Sequence, residues 1–532
     1  MARIIQEARS IPMHWLIVYA GSALYLCLLV PLNMAGAADR NMLAIFMIDE
    51  YSVYETTAAM LTKGGSFVEP IQKVYGYLYH FLNGVMLVLT RPLNHFVGLS
   101  ATRFDLLVLR ELSVVYYLIA VIVLLRSFFT QAHPVFVVLA WLAMVSSPAA
   151  LHTNTWVHPD NLAFMLMMAT CGTLLRDRYA FGRWFWFAAV LWGLATNTKM
   201  YGLFLAPLFI CYGALAMTRD PEDLRRPVVR IALAGVTAIV VYFATMPFLF
   251  ISGNLKDFVR EMIFYSATYI TGVRHATAEW NPALWYRTII ADFYFTLPFL
   301  VCIIVGTLFL FRASWRSCVL LLATILPMLL HFLFDVSWIG FWYLIPTLVP
   351  LLALGFYVPA EEPYRWLRLP LLAVVPLMLM LLFNKGVVSI GYAMSTLQRE
   401  ERSPAISLYR NVEMLLGERI RSVKVTFRDP YIYFPDIEGV EVRKKWGLAT
   451  YSELGGADTK MPQADLVMLQ KDYIQRCSGE ANLRKYMDYM KQSFDENRPC
   501  ISFYSDAGSH RLSGYDFLIE NEFGVAFIRR GL

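Results

Sequence analysis

The stretch Met47-Ile48-Asp49-Glu50-Tyr51-Ser52-Val53-Tyr54-Glu55 puts two adjacent carboxylates directly after the first long apolar segment of the chain. Charge beside hydrocarbon is expensive, and acids kept there tend to mark a functional site. Past Asp49, the residues Tyr51, Tyr54, Ala58 and Leu61 recur at i, i+3, i+7 and i+10, the spacing of a short amphipathic helix lying along a membrane surface. Two readings of Asp49 follow: a reactive acid, or a cap for this helix.

The rest of the chain supplies the membrane. With 58% hydrophobic residues, 16% charged and a mean hydropathy of +0.50, the sequence has the composition of a multi-span membrane protein and a mainly α fold. Its formal charge of +6 does not imply a nucleic-acid partner, because the basic residues fall in short clusters between apolar runs and so report topology. Arg3 and Arg9 before the first apolar run resemble the start of a signal peptide, with Ala35-Gly36-Ala37 as a cleavage site. An uncleaved first span is preferred, since that site leads straight into the acid pair and more spans follow.

Runs long enough to cross a bilayer start near Met13, Asp105, Pro134, Asn161, Trp184, Tyr201, Ile231, Ala291, Ser317, Ile339 and Leu367, which predicts about eleven spans. A further run, Val74 to Val97, carries His80, Asn83, Arg91, Asn94 and His95. Laid on the surface, it leaves the loops with Arg176, Arg178, Arg183, Arg219, Arg225, Arg226, Arg230, Arg312, Arg316, Arg365 and Arg368 on the inside together with the N-terminus. The outer face then holds four stretches: 33–104, 151–160, the hairpin around Lys199, and 251–290. The first and last read as surface helices that would cover a cavity over the bundle.

From about Ser395 the composition becomes that of a soluble domain, giving two units: 1–390 in the membrane and 395–532 as a small α/β domain on the outer side. Its expected helices are Ser407 to Arg419 and Asn482 to Phe494. Its expected strands are Val423 to Phe427, Asp465 to Leu469, Cys500 to Tyr504 and Gly524 to Arg529. Cys27, Cys171, Cys211, Cys302 and Cys318 lie in apolar runs and read as packing residues, whereas Cys477 and Cys500 share the outer domain and are expected to form a disulfide. No zinc spacing, phosphate-binding lysine loop or dinucleotide glycine pattern occurs, so a soluble nucleotide donor is not indicated.

Taken in order, Asp49-Glu50-Tyr51, Glu69-Pro70, Tyr75-Gly76-Tyr77, His158-Pro159-Asp160-Asn161, Thr198-Lys199, Trp285-Tyr286 and Trp342-Tyr343-Leu344-Ile345-Pro346 resemble the GT-C superfamily of integral-membrane glycosyltransferases. The nearest groups in that resemblance are the bacterial aminoarabinose transferases of lipid A and the protein O-mannosyltransferases, and it covers roughly the first 390 residues. It implies a GT-C bundle with outer juxtamembrane helices, and transfer of a hexosyl or pentosyl group from a polyprenyl-phosphate donor to a glycan, lipid or protein acceptor on the outer face.

The residues suit that chemistry on their own account. A hydroxyl is a poor nucleophile near neutral pH and needs a positioned base, for which Asp49 is the first candidate and Glu50 its neighbour. The departing phosphate needs positive charge, and Lys199, His158, Arg274 and His275 are the outer-face cations, with Asp160 and Tyr343 as further donor-site candidates. Each has a plainer reading: Lys199 snorkelling at a span end, His158 and Asp160 capping the next helix, Arg274 and His275 as solvated loop residues, Tyr343 as an interfacial anchor. Glu69 is the weak candidate for binding a divalent metal ion, one acid without partners.

A lipid or sugar transporter is the alternative of a different class, and a non-catalytic scaffold a third. Transporters place polar groups at mid-membrane in broken, repeated helices, whereas here the acids and bases gather at one face and no repeat is visible.

Overall fold

The computed structural model describes residues 11–532 apart from 63–75, 220–223, 251–253, 261–262, 264–285, 335–339, 362–367, 446, 457–460 and 491. The chain starts with α1 (Met13–Met34), α2 (Arg40–Phe46), α3 (Ile48–Thr62) and α4 (Tyr77–Thr90). There follow α5 (Ala101–Phe128), α6 (Pro134–Val145), α7 (Asp160–Asp177), α8 (Arg183–Thr198), α9 (Ala206–Met217) and α10 (Arg225–Ala244). The bundle closes with α11 (Phe299–Phe334), α12 (Ile345–Leu354) and α13 (Arg368–Leu397).

Among the described residues, six helical stretches are long and apolar enough to cross a bilayer, the signature of an integral membrane protein. One of them, within α11, is two helices: Ser314 leaves helical geometry (φ −156°, ψ 80°), and Cys318 Sγ lies 3.8 Å from the carbonyl oxygen of Thr307, eleven residues away. A straight helix would separate those residues by about 16 Å, so the chain doubles back at the arginine-flanked turn between Arg312 and Arg316. The runs from Ala291 and Ser317 thus lie side by side. The expected spans starting near Pro134, Asn161, Trp184 and Ile339 are helical too, but fall short in length or apolar character.

Packing in the bundle centres on α5, whose Leu106, Leu109, Tyr117 and Leu124 are buried together with Phe164 and Met168 of α7 and Phe185 of α8. Lipid is as apolar as leucine, so helices in a bilayer gain by close van der Waals contact and small residues. Gly193 of α8 shows this: a Cβ there would stand 2.6 Å from the carbonyl oxygen of Ala238 on α10.

The C-terminal domain carries α14 (Pro404–Leu416), α15 (Lys471–Cys477), α16 (Glu480–Met490) and α17 (Cys500–Gly508) around a five-stranded sheet. The strands are β1 (Val425–Arg428), β2 (Glu441–Lys444), β3 (Leu466–Gln470), β4 (Tyr515–Glu520) and β5 (Gly524–Arg529), in the order β2-β1-β3-β5-β4. β1 runs parallel to β2 and β3; β5 runs antiparallel to β3 and β4. One face of the sheet is covered by α15, α16 and α17. The other is covered by α14, and Met42 of α2 enters that second core.

The expected strand Cys500 to Tyr504 is instead the start of α17. Cys500, Phe503, Tyr504 and Ala507 are its buried residues, a stripe at i, i+3, i+4 and i+7 that is helical in period. Strands β2 and β4 were not expected, because each is an edge strand with few buried positions and no clean alternation. The bond expected between Cys477 and Cys500 is not formed in this structure, in which both are free, buried thiols.

Candidate functional site

The acid pair opens α3. Met47 is extended (φ −159°, ψ 101°) and breaks α2 from α3, which puts Asp49 and Glu50 in the first turn, where the helix dipole favours negative charge. The two acids then part company. Glu50 is 1% exposed and takes a two-pronged ion pair from Arg110 of α5, Nε to Oε1 and Nη2 to Oε2 both at 2.7 Å, while the backbone N–H of Val157 donates to Oε1 at 2.9 Å. Both oxygens are engaged away from water, an arrangement that anchors the start of α3 to α5.

Asp49 is half-buried next to that anchor, and its charge acts on Lys199 and on Tyr431 of the C-terminal domain. Lys199 sits where α8 stops: its backbone is extended (φ −158°, ψ 142°) between Thr198 and a 3₁₀ turn over Met200–Leu205. The end of α8 is held from outside by Gly76, whose N–H donates to Thr198 O at 3.3 Å, and Asn197 Oδ1 accepts from the N–H of Leu78 at 3.0 Å. Only glycine fits at 76, since a Cβ would lie 1.2 Å from the carbonyl oxygen of Asn197.

Lys199 is 7% exposed and is no snorkelling residue. Its Nζ donates to Asp160 Oδ1 at 2.6 Å and lies 4.3 Å from the centre of the Tyr343 ring and 4.5 Å from that of Tyr201. Asp160 Oδ2 in turn pairs with Nδ1 of His158, and the His158 ring stacks on Trp156 at 4.5 Å. Asp160 is therefore more than a helix cap: from the first turn of α7 it fixes a lysine and a histidine. Its neighbour Asn161 ties this turn to Ser113 and Asn154 with hydrogen bonds of 3.0 and 2.9 Å. The 3₁₀ turn Phe341–Leu344 brings Tyr343 over the lysine and Trp342 edge-on to Trp156 at 5.3 Å.

The structure thus brings together Asp49, Lys199, Asp160, His158 and Tyr343. Arg274, His275 and Glu69 lie outside the described residues. Among the described residues no group of three or more His, Cys, Asp or Glu is placed to hold a metal ion, and no step below is routed through one. Three residues, Arg110, Trp156 and Tyr201, escaped the reading of the sequence. Arg110 is a charge within an apolar run, which is itself a signal, and Trp156 stands two residues before His158.

An apolar groove of about 740 Å³ is lined by Trp192, Leu203, Ala238, Tyr242 and Phe258 among others, together with Thr196 and Met200 on either side of Lys199 in the chain. On the other side the C-terminal domain docks on α2 and α3. Arg428 donates to Asn41 Oδ1 at 2.9 Å, Tyr433 to Asp39 Oδ2 at 2.6 Å, and Lys444 to Tyr51 Oη at 2.6 Å. Burial, with help from Arg428, brings the Lys444 ammonium down to about 8.

Among solved structures, ArnT from Cupriavidus metallidurans in the apo state is similar at a TM-score of 0.52 and 13% identity, covering 96% of this chain and 97% of that one. The same protein bound to undecaprenyl phosphate gives 0.49 and 12% over the same shares. The archaeal oligosaccharyltransferase AglB from Archaeoglobus fulgidus, in complex with an inhibitory peptide and a dolichol-phosphate, gives 0.45 and 11% over 97% of this chain and 74% of that one. No protein-family model and no curated protein sequence matches the chain. At these identities the likeness to ArnT is one of fold along nearly the whole of both chains.

Proposed function

From the GT-C fold that this chain has, we propose that it transfers a sugar from a polyprenyl-phosphate-linked donor to an acceptor hydroxyl at the extracytoplasmic face of a membrane. The observation that carries the reading is the buried Lys199 ammonium, held by Asp160 and within reach of the Asp49 charge, in the chain segment whose Thr196 and Met200 line an apolar groove. An isoprenoid tail suits such a groove, and it would leave the phosphate beside the one buried ammonium described there. ArnT, whose fold the chain shares, has been solved with undecaprenyl phosphate bound.

In the reaction the acceptor oxygen forms a bond to the anomeric carbon while the bond from that carbon to the phosphate oxygen breaks. The hydroxyl proton passes to Asp49, and the electron pair leaves with the lipid-bound phosphate. Lys199 meets the charge that grows on that oxygen, in a site shielded from water where charge–charge terms are strengthened. Asp160 and the rings of Tyr343 and Tyr201 hold the ammonium in place, so no side chain has to be reorganised as the charge develops.

The direct test reconstitutes the full chain with a radiolabelled polyprenyl-phosphate sugar and looks for label on a second molecule. Movement of the lipid between leaflets without transfer would make the protein a transporter instead. Lys199→Ala is expected to weaken binding of the phosphosugar about 10- to 100-fold, the worth of a charge-assisted hydrogen bond, and to lower turnover as well. Retained donor affinity would take the phosphate away from Lys199. The arginine-bearing loops point to a cytoplasmic N-terminus with the C-terminal domain on the opposite side. Cysteines introduced at Arg178 and Arg226 should therefore resist an impermeant reagent applied from outside, and labelling there would invert the topology.

A further inference from the structure

The turn from α7 to α8 lies at the end of the bundle opposite Lys199, since Asp177 closes α7 about 25 Å along the helix from Asp160. Its backbone is strained: Arg178 (φ 52°), Tyr179 (φ 65°) and Phe181 (φ 52°) are left-handed, three of the four non-glycine residues to be so among the described residues. Such conformations persist where the surroundings hold them, and they gather at ligand sites. The holding contacts are specific. The N–H of Tyr179 donates to Tyr212 Oη at 2.6 Å, Arg219 donates to Arg178 O at 2.9 Å, and Arg226 of α10 donates to Ala180 O at 3.2 Å. We propose that this turn binds the phosphate of an anionic phospholipid in the leaflet opposite Lys199.

Convergence of charge selects the phosphate. The guanidinium carbons of Arg219, which follows α9, and of Arg316, on the returning arm of α11, lie 5.3 and 5.7 Å from the centre of the Tyr179 ring. The positive-inside rule puts arginines in such loops, but it does not gather those of separate loops on one ring. Like charges repel there, and the carboxylate of the turn is engaged elsewhere: Asp177 accepts from Tyr212 Oη at 2.6 Å and from the N–H groups of Gly182 and Phe185 at 3.0 and 3.3 Å. Asp220, Glu222 and Asp223 lie outside the described residues. Arg316 Nε and Tyr179 Oη are moreover buried with no hydrogen-bond partner among the described residues, and a buried donor left without an acceptor is costly. Phosphate oxygens accept from guanidinium and phenol alike.

Position selects the lipid. Both α10 and α11 are apolar enough to span a bilayer, and exposed apolar side chains flank the cluster on each: Val228, Leu233 and Val236 on α10, Leu308, Phe311 and Trp315 on α11. The Trp315 ring centre is 5.3 Å from the Arg316 guanidinium carbon, so apolar surface and charge meet there directly. Acyl chains lying along these helices leave their phosphate at the arginines, whereas a free anion gains nothing from such surfaces. A choline headgroup is disfavoured, because the guanidiniums repel its quaternary ammonium and already stand by the Tyr179 ring.

The test measures lipid binding and does not depend on sugar transfer. The full chain in a neutral detergent is titrated with palmitoyl-oleoyl phosphatidylglycerol, with the phosphatidylcholine of the same chains, and with inorganic phosphate, and bound molecules are counted by native mass spectrometry. Phosphatidylglycerol should bind saturably and at least about 10-fold more tightly than phosphatidylcholine, and Arg316→Gln should weaken it by about 10-fold or more, the worth of a charge-assisted hydrogen bond. Tyr179→Phe should weaken it about 3-fold or more. That variant deletes only an oxygen without a described partner, so the fold is retained. Arg225→Gln removes the same charge at the same end of the bundle and should leave the affinity within about 2-fold of wild type, since a general attraction between charges is not site-specific. The proposal is overturned if phosphatidylcholine binds as well, if Arg225→Gln costs as much as Arg316→Gln, or if Tyr179→Phe binds like the wild type. Saturation by inorganic phosphate at the concentrations that suffice for the lipid would overturn it too, in favour of a free anion.

Discussion

Asp49→Asn should keep the protein folded, with donor binding nearly intact, and lower sugar transfer by about 10²- to 10⁴-fold, the usual worth of a general base. The substitution removes a proton acceptor and almost no volume. The carboxylate is only half-buried, and the neighbouring anchor at Glu50 is untouched, so α3 has no reason to shift. Loss of a transition-state interaction lowers kcat and leaves ground-state binding in place. Single-turnover transfer with saturating donor, alongside a separate measurement of donor affinity, reads the two effects apart. If transfer by the variant stays within a few-fold of wild type, Asp49 is a helix-terminus acid and nothing more, and with Glu50 spoken for by Arg110 the base must be sought elsewhere.

The second large effect concerns Arg110. Its side chain is 0% exposed, and besides pairing with Glu50 it donates through Nη1 to the carbonyl oxygens of Asn33 at 2.7 Å and Ala35 at 2.9 Å. One guanidinium thus ties together the end of α1, the start of α3 and the middle of α5. Arg110→Ala strands a buried carboxylate without its counter-charge, a change that costs about 3–5 kcal/mol. Thermal unfolding in detergent should show a large drop, and activity should fall with it because Asp49 rides on the same turn. The paired change Arg110→Met with Glu50→Leu removes both charges, and most of the lost stability should return, as it commonly does when a buried pair gives way to apolar packing. A single variant as stable as wild type would show that the Glu50 carboxylate can be left unpaired, and the anchoring role would fall.

How much of this was legible in the sequence follows from what each signal depends on. The helix at Ile48–Thr62 was visible in its periodicity, and His158, Asp160 and Lys199 were each singled out one by one. Their convergence was not visible, because the contact between Asp160 and Lys199 joins the start of α7 to the end of α8 and depends on how two helices are laid side by side. Glu50 and Asp49 look equivalent as letters. Only the arginine reaching across from α5 distinguishes them, and nothing local to the pair announces it. In the C-terminal domain β5 could be read from its run of apolar residues, whereas β2 and β4 could not, since an edge strand with charged positions carries no period. Cys500–Tyr504 was misjudged because five residues are too few to separate a period of two from one of 3.6.

The entry of Met42 into a core that also holds Ala526 and Ile528 has a consequence for how the protein is made. α2 leaves the ribosome nearly five hundred residues ahead of β5, which completes the surface it packs on. At ordinary rates of synthesis, about 5–20 residues per second, the helix that leads into Asp49 waits on the order of a minute for its partner. A nascent chain halted between Leu397 and β5 would carry its membrane helices and its acid pair, but with one face of α2 bare. Completion of the site is thereby tied to the emergence of β5, and the waiting segment is a part of the chain that needs a chaperone or a lipid surface to shelter it.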